Sequence, residues 1–180
     1  MTFTPDIILV GNGPAALSWP AGSLIDACPQ VGRFNNFKTE GYEEFVGSKT
    51  TVWIRNDTQT VLPRDDSLPT LVVTKPDRAR PGDLVPSLYP GGWASTGVTA
   101  ILYFVQQGLR VGLHGFDFFK AATHHYFPSE SRNTVHDPEQ ELKLLALHFA
   151  FGQLAVLREP ECRSPYLPTK AQLRQWRSNA

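Results

Sequence analysis

The sequence predicts an α/β fold: a single Rossmann-like, three-layer α/β/α domain on a mostly parallel sheet. Three observations predict it. Short apolar runs bounded by turn residues recur along the chain, as in Ile7–Val10 and Thr70–Thr74. Stretches of helical periodicity separate the later runs. The first run ends in a sharp break, Gly11-Asn-Gly-Pro14. Strands alternating with helices imply a parallel sheet covered on both faces, with ligands bound at the carboxyl ends of its strands. At 180 residues the chain can bury one core. The domain is read as residues 1–162, followed by a basic C-terminal tail at 163–180.

Ile7 to Val10 reads as a buried parallel strand. The helix after its turn is cut short by Pro20 and Gly22. Val31-Gly-Arg-Phe-Asn35 is a second strand, Gly41 to Gly47 a loop, and Thr50-Thr-Val-Trp-Ile54 a third strand. A polar loop at 56–69 leads to a fourth, Thr70–Thr74, shut off by Pro76. Residues 75–92 hold four prolines but also Leu84, Val85, Leu88 and Tyr89, apolar material that favours an ordered substrate-side loop. Ser95-Thr-Gly97 opens a helix whose Val98, Ile101, Leu102 and Val105 form one apolar face, ended by Gly108. Leu109–His114 is a fifth strand, tipped by Gly115-Phe-Asp-Phe-Phe119, and 121–135 a polar loop. Asp137-Pro138, with Gln140 two residues further on, starts the last long helix. Its stripe is Leu142, Leu145 and Phe149, widened by Leu144, Leu147 and Phe151, and Leu154–Leu157 closes the sheet.

Composition excludes several classes. Net charge is zero, so no general affinity for nucleic acid is expected. No apolar run reaches membrane-spanning length, and Met1–Asp6 has no signal-peptide character. Cys28 and Cys162 match no metal or redox spacing. These features point to a cytoplasmic protein. The tail's Arg163, Lys170, Arg174 and Arg177 offer at most a weak contact with the inner membrane face.

The opening turn fits the dinucleotide fingerprint, which suits a flavin- or nicotinamide-binding oxidoreductase. That fingerprint also needs an acidic residue at the end of the second strand, where this chain has Arg33-Phe-Asn35-Asn36. Asn12 and Asn35 instead place two amides at neighbouring strand tips, each able to donate and accept toward one ligand or to cap a turn. Ser95-Thr-Gly97 presents helix N–H groups suited to a phosphate, or is a plain N-cap. Three of the five histidines, His124, His125 and His136, crowd into a short stretch. His136 precedes a helix start, with Glu141 five residues on. A carboxylate on one ring nitrogen would leave the other to take a proton, making a general base with its orienter.

Together these motifs resemble the animal sialyltransferases, glycosyltransferase family 29. The residues that carry the resemblance, in the family's order, are Val10-Gly-Asn12, Ile25-Asp26, Arg33-Phe-Asn35 and Val46-Gly with Thr50-Thr51. Ser95-Thr-Gly97, Gly115-Phe116, His125-Tyr-Phe127 and His136 with Glu141 then follow. The Gly-Asn-Gly-Pro turn and Gly-Phe-Asp-Phe-Phe also resemble bacterial sialyltransferases of a neighbouring family. The resemblance implies a GT-A-like sialyltransferase variant of the fold. It further implies inverting transfer of sialic acid, or a keto-acid sugar such as Kdo, from a CMP-sugar to a glycan or glycolipid hydroxyl, without metal or other cofactor. Asn12, Gly13, Asn35, Ser95, Thr96, Gly97 and Tyr126 would bind the CMP donor, Asn12 and Asn35 taking its phosphate and ribose. His125 would stabilise the departing phosphate, and His136 would be the base, oriented by Glu141. The animal members' membrane anchor and the cysteine pair joining the long and small motifs have no counterpart here. A silent nucleotide-binding module is the other alternative.

Overall fold

The computed structural model describes residues 3–57, 67–117, 124–128, 136–157 and 170–178. In chain order the strands are β1 (Ile7–Val10), β2 (Gln30–Phe34), β3 (Val52–Asn56), β4 (Thr70–Val73), β5 (Leu88–Tyr89), β6 (Gly92–Trp93), β7 (Val111–His114) and β8 (Leu154–Val156). The helices are α1 (Gly22–Ala27), α2 (Glu43–Val46), α3 (Thr96–Gln106), α4 (Pro138–Ala150) and α5 (Lys170–Ser178). A 3-10 turn, Pro14–Leu17, follows β1.

Six strands form one sheet in the order β4-β3-β2-β1-β7-β8, and every pairing is parallel. β1 is the centre because its four residues are all apolar and fully covered. Alternation then sends its side chains to two faces. Ile7 and Leu9 join a core with α3 and α4, while Ile8 and Val10 pack with α1 and α2. These are the expected three layers.

Register aligns the tips. Val10 pairs with Arg33 on one side and His114 on the other, so Asn12, Asn35 and Phe116 each lie two residues beyond one row. The chain leaves β1 for β2 on one side and returns as β7 on the other. The crevice at such a reversal is where open α/β sheets bind ligands.

Several local expectations are corrected. The stretch after Pro20 folds as α1, and the Gly41–Gly47 loop contains α2. These helices pack so closely that a Cβ on Gly22 would lie 2.0 Å from the Glu43 carbonyl oxygen, so this glycine opens a helix instead of breaking it. The third strand begins at Val52, because Thr51 Oγ1 accepts from Val31 N–H (2.8 Å). The 75–92 segment carries the β5–β6 hairpin and a bridge from Leu84 to Val73. Leu147 and Phe151 stand outside the apolar stripe of α4, 48% and 62% exposed. Cys28 is a buried free thiol, and Cys162 lies outside the described residues, as do parts of the 56–69 and 121–135 loops and Arg163 of the tail. α5 packs against α4. No helix among the described residues is long and apolar enough to cross a membrane.

Candidate functional site

The β1 turn is locked to the β7 tip by backbone bonds, Gly11 N–H to His114 O (2.8 Å) and Gly13 N–H to Gly115 O (3.1 Å). The approach leaves no room for side chains. A Cβ on Gly11 would lie 2.7 Å from Gly115 O, and one on Gly115 equally 2.7 Å from Gly11 O. At Gly13 it would meet the buried Asp117 carboxylate at 2.5 Å.

Between these glycines Asn12 is buried, its Nδ2 donating to Phe34 O at the end of β2 (3.0 Å). Its Oδ1 is buried without a hydrogen-bond partner among the described residues. Asn35 has left-handed backbone, φ 48°, which asparagine tolerates better than most residues. Its Oδ1 accepts from Asn56 N–H (3.0 Å), and its carbonyl accepts from Trp53 Nε1 (2.9 Å). Asn12 and Asn35 therefore flank one end of β2, as their strands predict.

Ser95 caps α3, its Oγ accepting from Val98 N–H at 3.3 Å. Phe116 joins this helix start to the opening turn. One edge of its ring would lie 3.1 Å from a Cβ on Gly11 and another 3.0 Å from one on Gly97, and it packs edge-on against Phe34. The Phe116 ring thus lies between Gly11 of the opening turn and Gly97 of the α3 start, beside Phe34 at the end of β2.

His136 sits just before α4, whose N-cap Asp137 accepts from Glu139 and Gln140 N–H. The Tyr89 hydroxyl accepts from Asp137 N–H (3.0 Å). His136 Nδ1 lies 3.1 Å from Trp93 O. A carbonyl only accepts, so Nδ1 carries the proton and Nε2 is the basic nitrogen. Glu141, 1% exposed, places Oε1 2.5 Å from Ser95 N, which donates to it, and 3.9 Å from His136 Nδ1. Burial pushes the Glu141 carboxyl above its usual range, against the pull of Ser95 and His136. The carboxylate expected to orient His136 is bonded first to the start of α3, and the Trp93 carbonyl holds the ring.

His125, Tyr126 and Phe127 are pinned over the turn by Tyr126 N–H donating to Asn12 O (3.0 Å). The His125 ring stacks at a tilt on Phe127, centroids 4.7 Å apart, while His124 is exposed. Tyr126 is buried, its hydroxyl donating to Lys38 O and its ring edge-on to Tyr42. Beneath lies Arg33, fully buried, donating to the carbonyls of Val46, Gly47 and Lys49 and to Thr50 Oγ1. Desolvation lowers its guanidinium to about 10. No group of three or more His, Cys, Asp or Glu among the described residues has metal-binding geometry.

Trp93 and Tyr89 carry no motif that singles them out in the sequence, and Asp117 lies within the Gly115-Phe-Asp-Phe-Phe119 tip without a role assigned to it there. Trp93 acts through its backbone, and Tyr89 and Asp117 are apposed to their partners only by folding.

No protein-family model and no curated protein matches the chain in sequence. Among solved structures, it is similar to a mammalian sialyltransferase with a TM-score of 0.61 at 19% identity, over 84% of this chain and 68% of that one. The mammalian sialyltransferase in complex with Gal-beta-1-3GalNAc-ortho-nitrophenol gives 0.60 at 20% identity, with the same coverage. At these identities the likeness establishes the architecture: this chain has a sialyltransferase-like α/β/α fold.

Proposed function

We propose that the chain is an inverting, metal-independent glycosyltransferase that moves sialic acid, or a related keto-acid sugar such as Kdo, from a CMP-sugar to a glycan hydroxyl. The observation that carries this reading is Glu141, which bonds the Ser95 helix start at 2.5 Å and lies 3.9 Å from His136. One buried carboxylate thereby joins an anion-suited helix terminus to a histidine of defined tautomer.

In this reading Nε2 of His136 takes the proton of the acceptor hydroxyl. The oxygen bonds to the anomeric carbon while the opposite carbon–oxygen bond breaks, its electron pair leaving with CMP. Asn12, Gly13, Asn35, the Ser95–Gly97 helix start and Tyr126 hold the nucleotide, and His125 stabilises the phosphate. A nucleoside monophosphate leaves readily, so positioning and charge stabilisation supply most of the rate.

The test is a panel of CMP-activated sugars with glycan acceptors, scored for CMP release with and without EDTA. Release insensitive to EDTA is expected. His136→Ala should lower transfer by roughly 10²–10⁴-fold while leaving CMP affinity nearly unchanged. Failure of the wild-type protein to bind CMP sinks the proposal, and CMP binding without turnover on any donor favours a silent nucleotide-binding module.

A further inference from the structure

We propose that Tyr89 is a positioning residue for His136. Its hydroxyl anchors the backbone beneath the imidazole, so that the β5–β6 hairpin aims the basic nitrogen Nε2. The inference rests on the reading of His136 as the base, and it names the element that holds that base in place.

One hairpin holds two consecutive residues. The Trp93 carbonyl in β6 accepts from His136 Nδ1 (3.1 Å). The Tyr89 hydroxyl in β5 accepts from the next backbone N–H, that of Asp137 (3.0 Å). The Asp137 nitrogen shares a rigid peptide plane with the His136 carbonyl. Anchoring that plane restricts ψ of His136, and with it the direction in which the ring leaves the backbone. One bond therefore fixes the root of the side chain and the other its Nδ1 edge. With the Tyr89 bond gone, the ring can pivot about the Trp93 carbonyl.

The nearby carboxylates do not supply this anchor. Glu141 Oε1 lies 3.9 Å from His136 Nδ1, beyond hydrogen-bond reach, and accepts from Ser95 N–H instead. The Asp137 carboxylate is taken by Glu139 and Gln140 N–H. Tyr89 is placed for the task by its own hairpin. It pairs with Gly92 across the two strands, and its ring lies against that glycine. A Cβ on Gly92 would meet the tyrosine Cε2 at 3.1 Å and the hydroxyl oxygen at 3.2 Å. Tyr89 is 6% exposed and the His136 side chain 27%, so the tyrosine acts through the histidine and not on a substrate.

The experiment compares the wild type with Tyr89→Phe, which removes only the hydroxyl, and with Gly92→Ala, which keeps the hydroxyl but crowds it. The first readout needs no substrate. Nitrogen-15 NMR of labelled histidines, at about pH 9 where imidazole is neutral, reports which ring nitrogen carries the proton. The His136 signals are assigned by their absence from His136→Ala. The wild type should show the proton on Nδ1. In either variant the two ring shifts should move toward the average of the tautomers. The second readout is transfer from a CMP-sugar. For Tyr89→Phe kcat should fall roughly fivefold, the factor one neutral hydrogen bond supplies, with CMP affinity unchanged. The double variant should be no slower than Tyr89→Phe, because both changes break one contact. A tyrosine that only stabilises the hairpin would lower the melting temperature and leave the tautomer and kcat where they were. That result overturns the proposal, as does a wild-type proton on Nε2. Should Tyr89→Phe not fold, Gly92→Ala decides by the same two readouts. A wild type that neither binds CMP nor transfers sugar overturns the glycosyltransferase reading. The ring-nitrogen spectra still decide whether Tyr89 holds His136, so the two failures are distinguishable.

Discussion

Glu141 shows how much one side chain sets at this site. A carboxylate that is 1% exposed is costly to desolvate, and burial raises its pKa. The folded state therefore holds its proton to higher pH than the unfolded chain does. Its contribution to stability falls as pH rises above the ordinary value of 4.5. Glu141→Gln keeps an oxygen for Ser95 N–H and removes the charge. We expect its stability near neutral pH to equal or exceed that of the wild type, with the loss above pH 4.5 abolished. Glu141→Ala strands the Ser95 N–H and opens a void, costing roughly 2–4 kcal/mol. Urea unfolding across pH separates these outcomes, and a glutamine variant as unstable as the alanine would refute them. The residues legible in the sequence (Asn12, Asn35, Ser95, His125, His136, Glu141) carry their chemistry in their side chains. The Trp93 carbonyl that holds His136 was not legible, because every residue has a carbonyl and only folding selects one. The bond between Glu141 and Ser95 spans 46 positions, beyond any local pattern.

Among elements, β7 carries a second titrating feature. His114, at its end, is 1% exposed and donates from Nε2 to Ala16 O in the 3-10 turn (2.9 Å). Burial, assisted by the Arg33 charge, lowers its pKa from 6.5 to about 4 despite the Ala16 bond. The unfolded chain then binds more protons across that window, so stability should decline as pH falls from 6.5 toward 4. At about 1.4 kcal/mol per pH unit the full effect is on the order of 3 kcal/mol. Asp6, held down to about 2 chiefly by its side-chain bond to Arg110, acts only below its ordinary 3.8 and does not overlap that window. Glu141 titrates in part of this window with the opposite sign, so the comparison is made in the Glu141→Gln background. There, adding His114→Gln, which retains a donor without a titrating ring, should flatten the denaturant midpoint between pH 6.5 and 4; an unchanged slope would rule His114 out. The six sheet strands were legible because each is a short apolar or β-branched run between turn residues. α1 and α2 were not. They have six and four residues, too short for helical periodicity, and their glycines are set by contact between the two helices.

At the scale of the molecule, protection should grade across the sheet. β1 has both neighbours and no exposed side chain, whereas β4 at one edge has exposed Thr70 and part-exposed Leu71 and Val72. Hydrogen exchange should be slowest at Ile7–Val10, close to the global unfolding limit, and orders of magnitude faster along β4. Uniform exchange, or slower exchange in β4, would contradict the picture of a central strand organising the fold. The alternation of strands and helices made a parallel sheet legible, but not its order. Which side of β1 receives β7 depends on which helices cover each face, and that is decided by packing among residues about a hundred positions apart.

The facing glycines at the β1 and β7 tips have an evolutionary consequence. Each is barred from gaining a side chain by the other's main-chain oxygen, at 2.7 Å in both directions. Side-chain obstacles can be trimmed by a second substitution, but a carbonyl is common to all residues. No compensating change at either position relieves the other, so Gly11 and Gly115 are fixed jointly. A lineage leaving this state would have to separate the two strand tips first, dismantling the crevice before it could diversify.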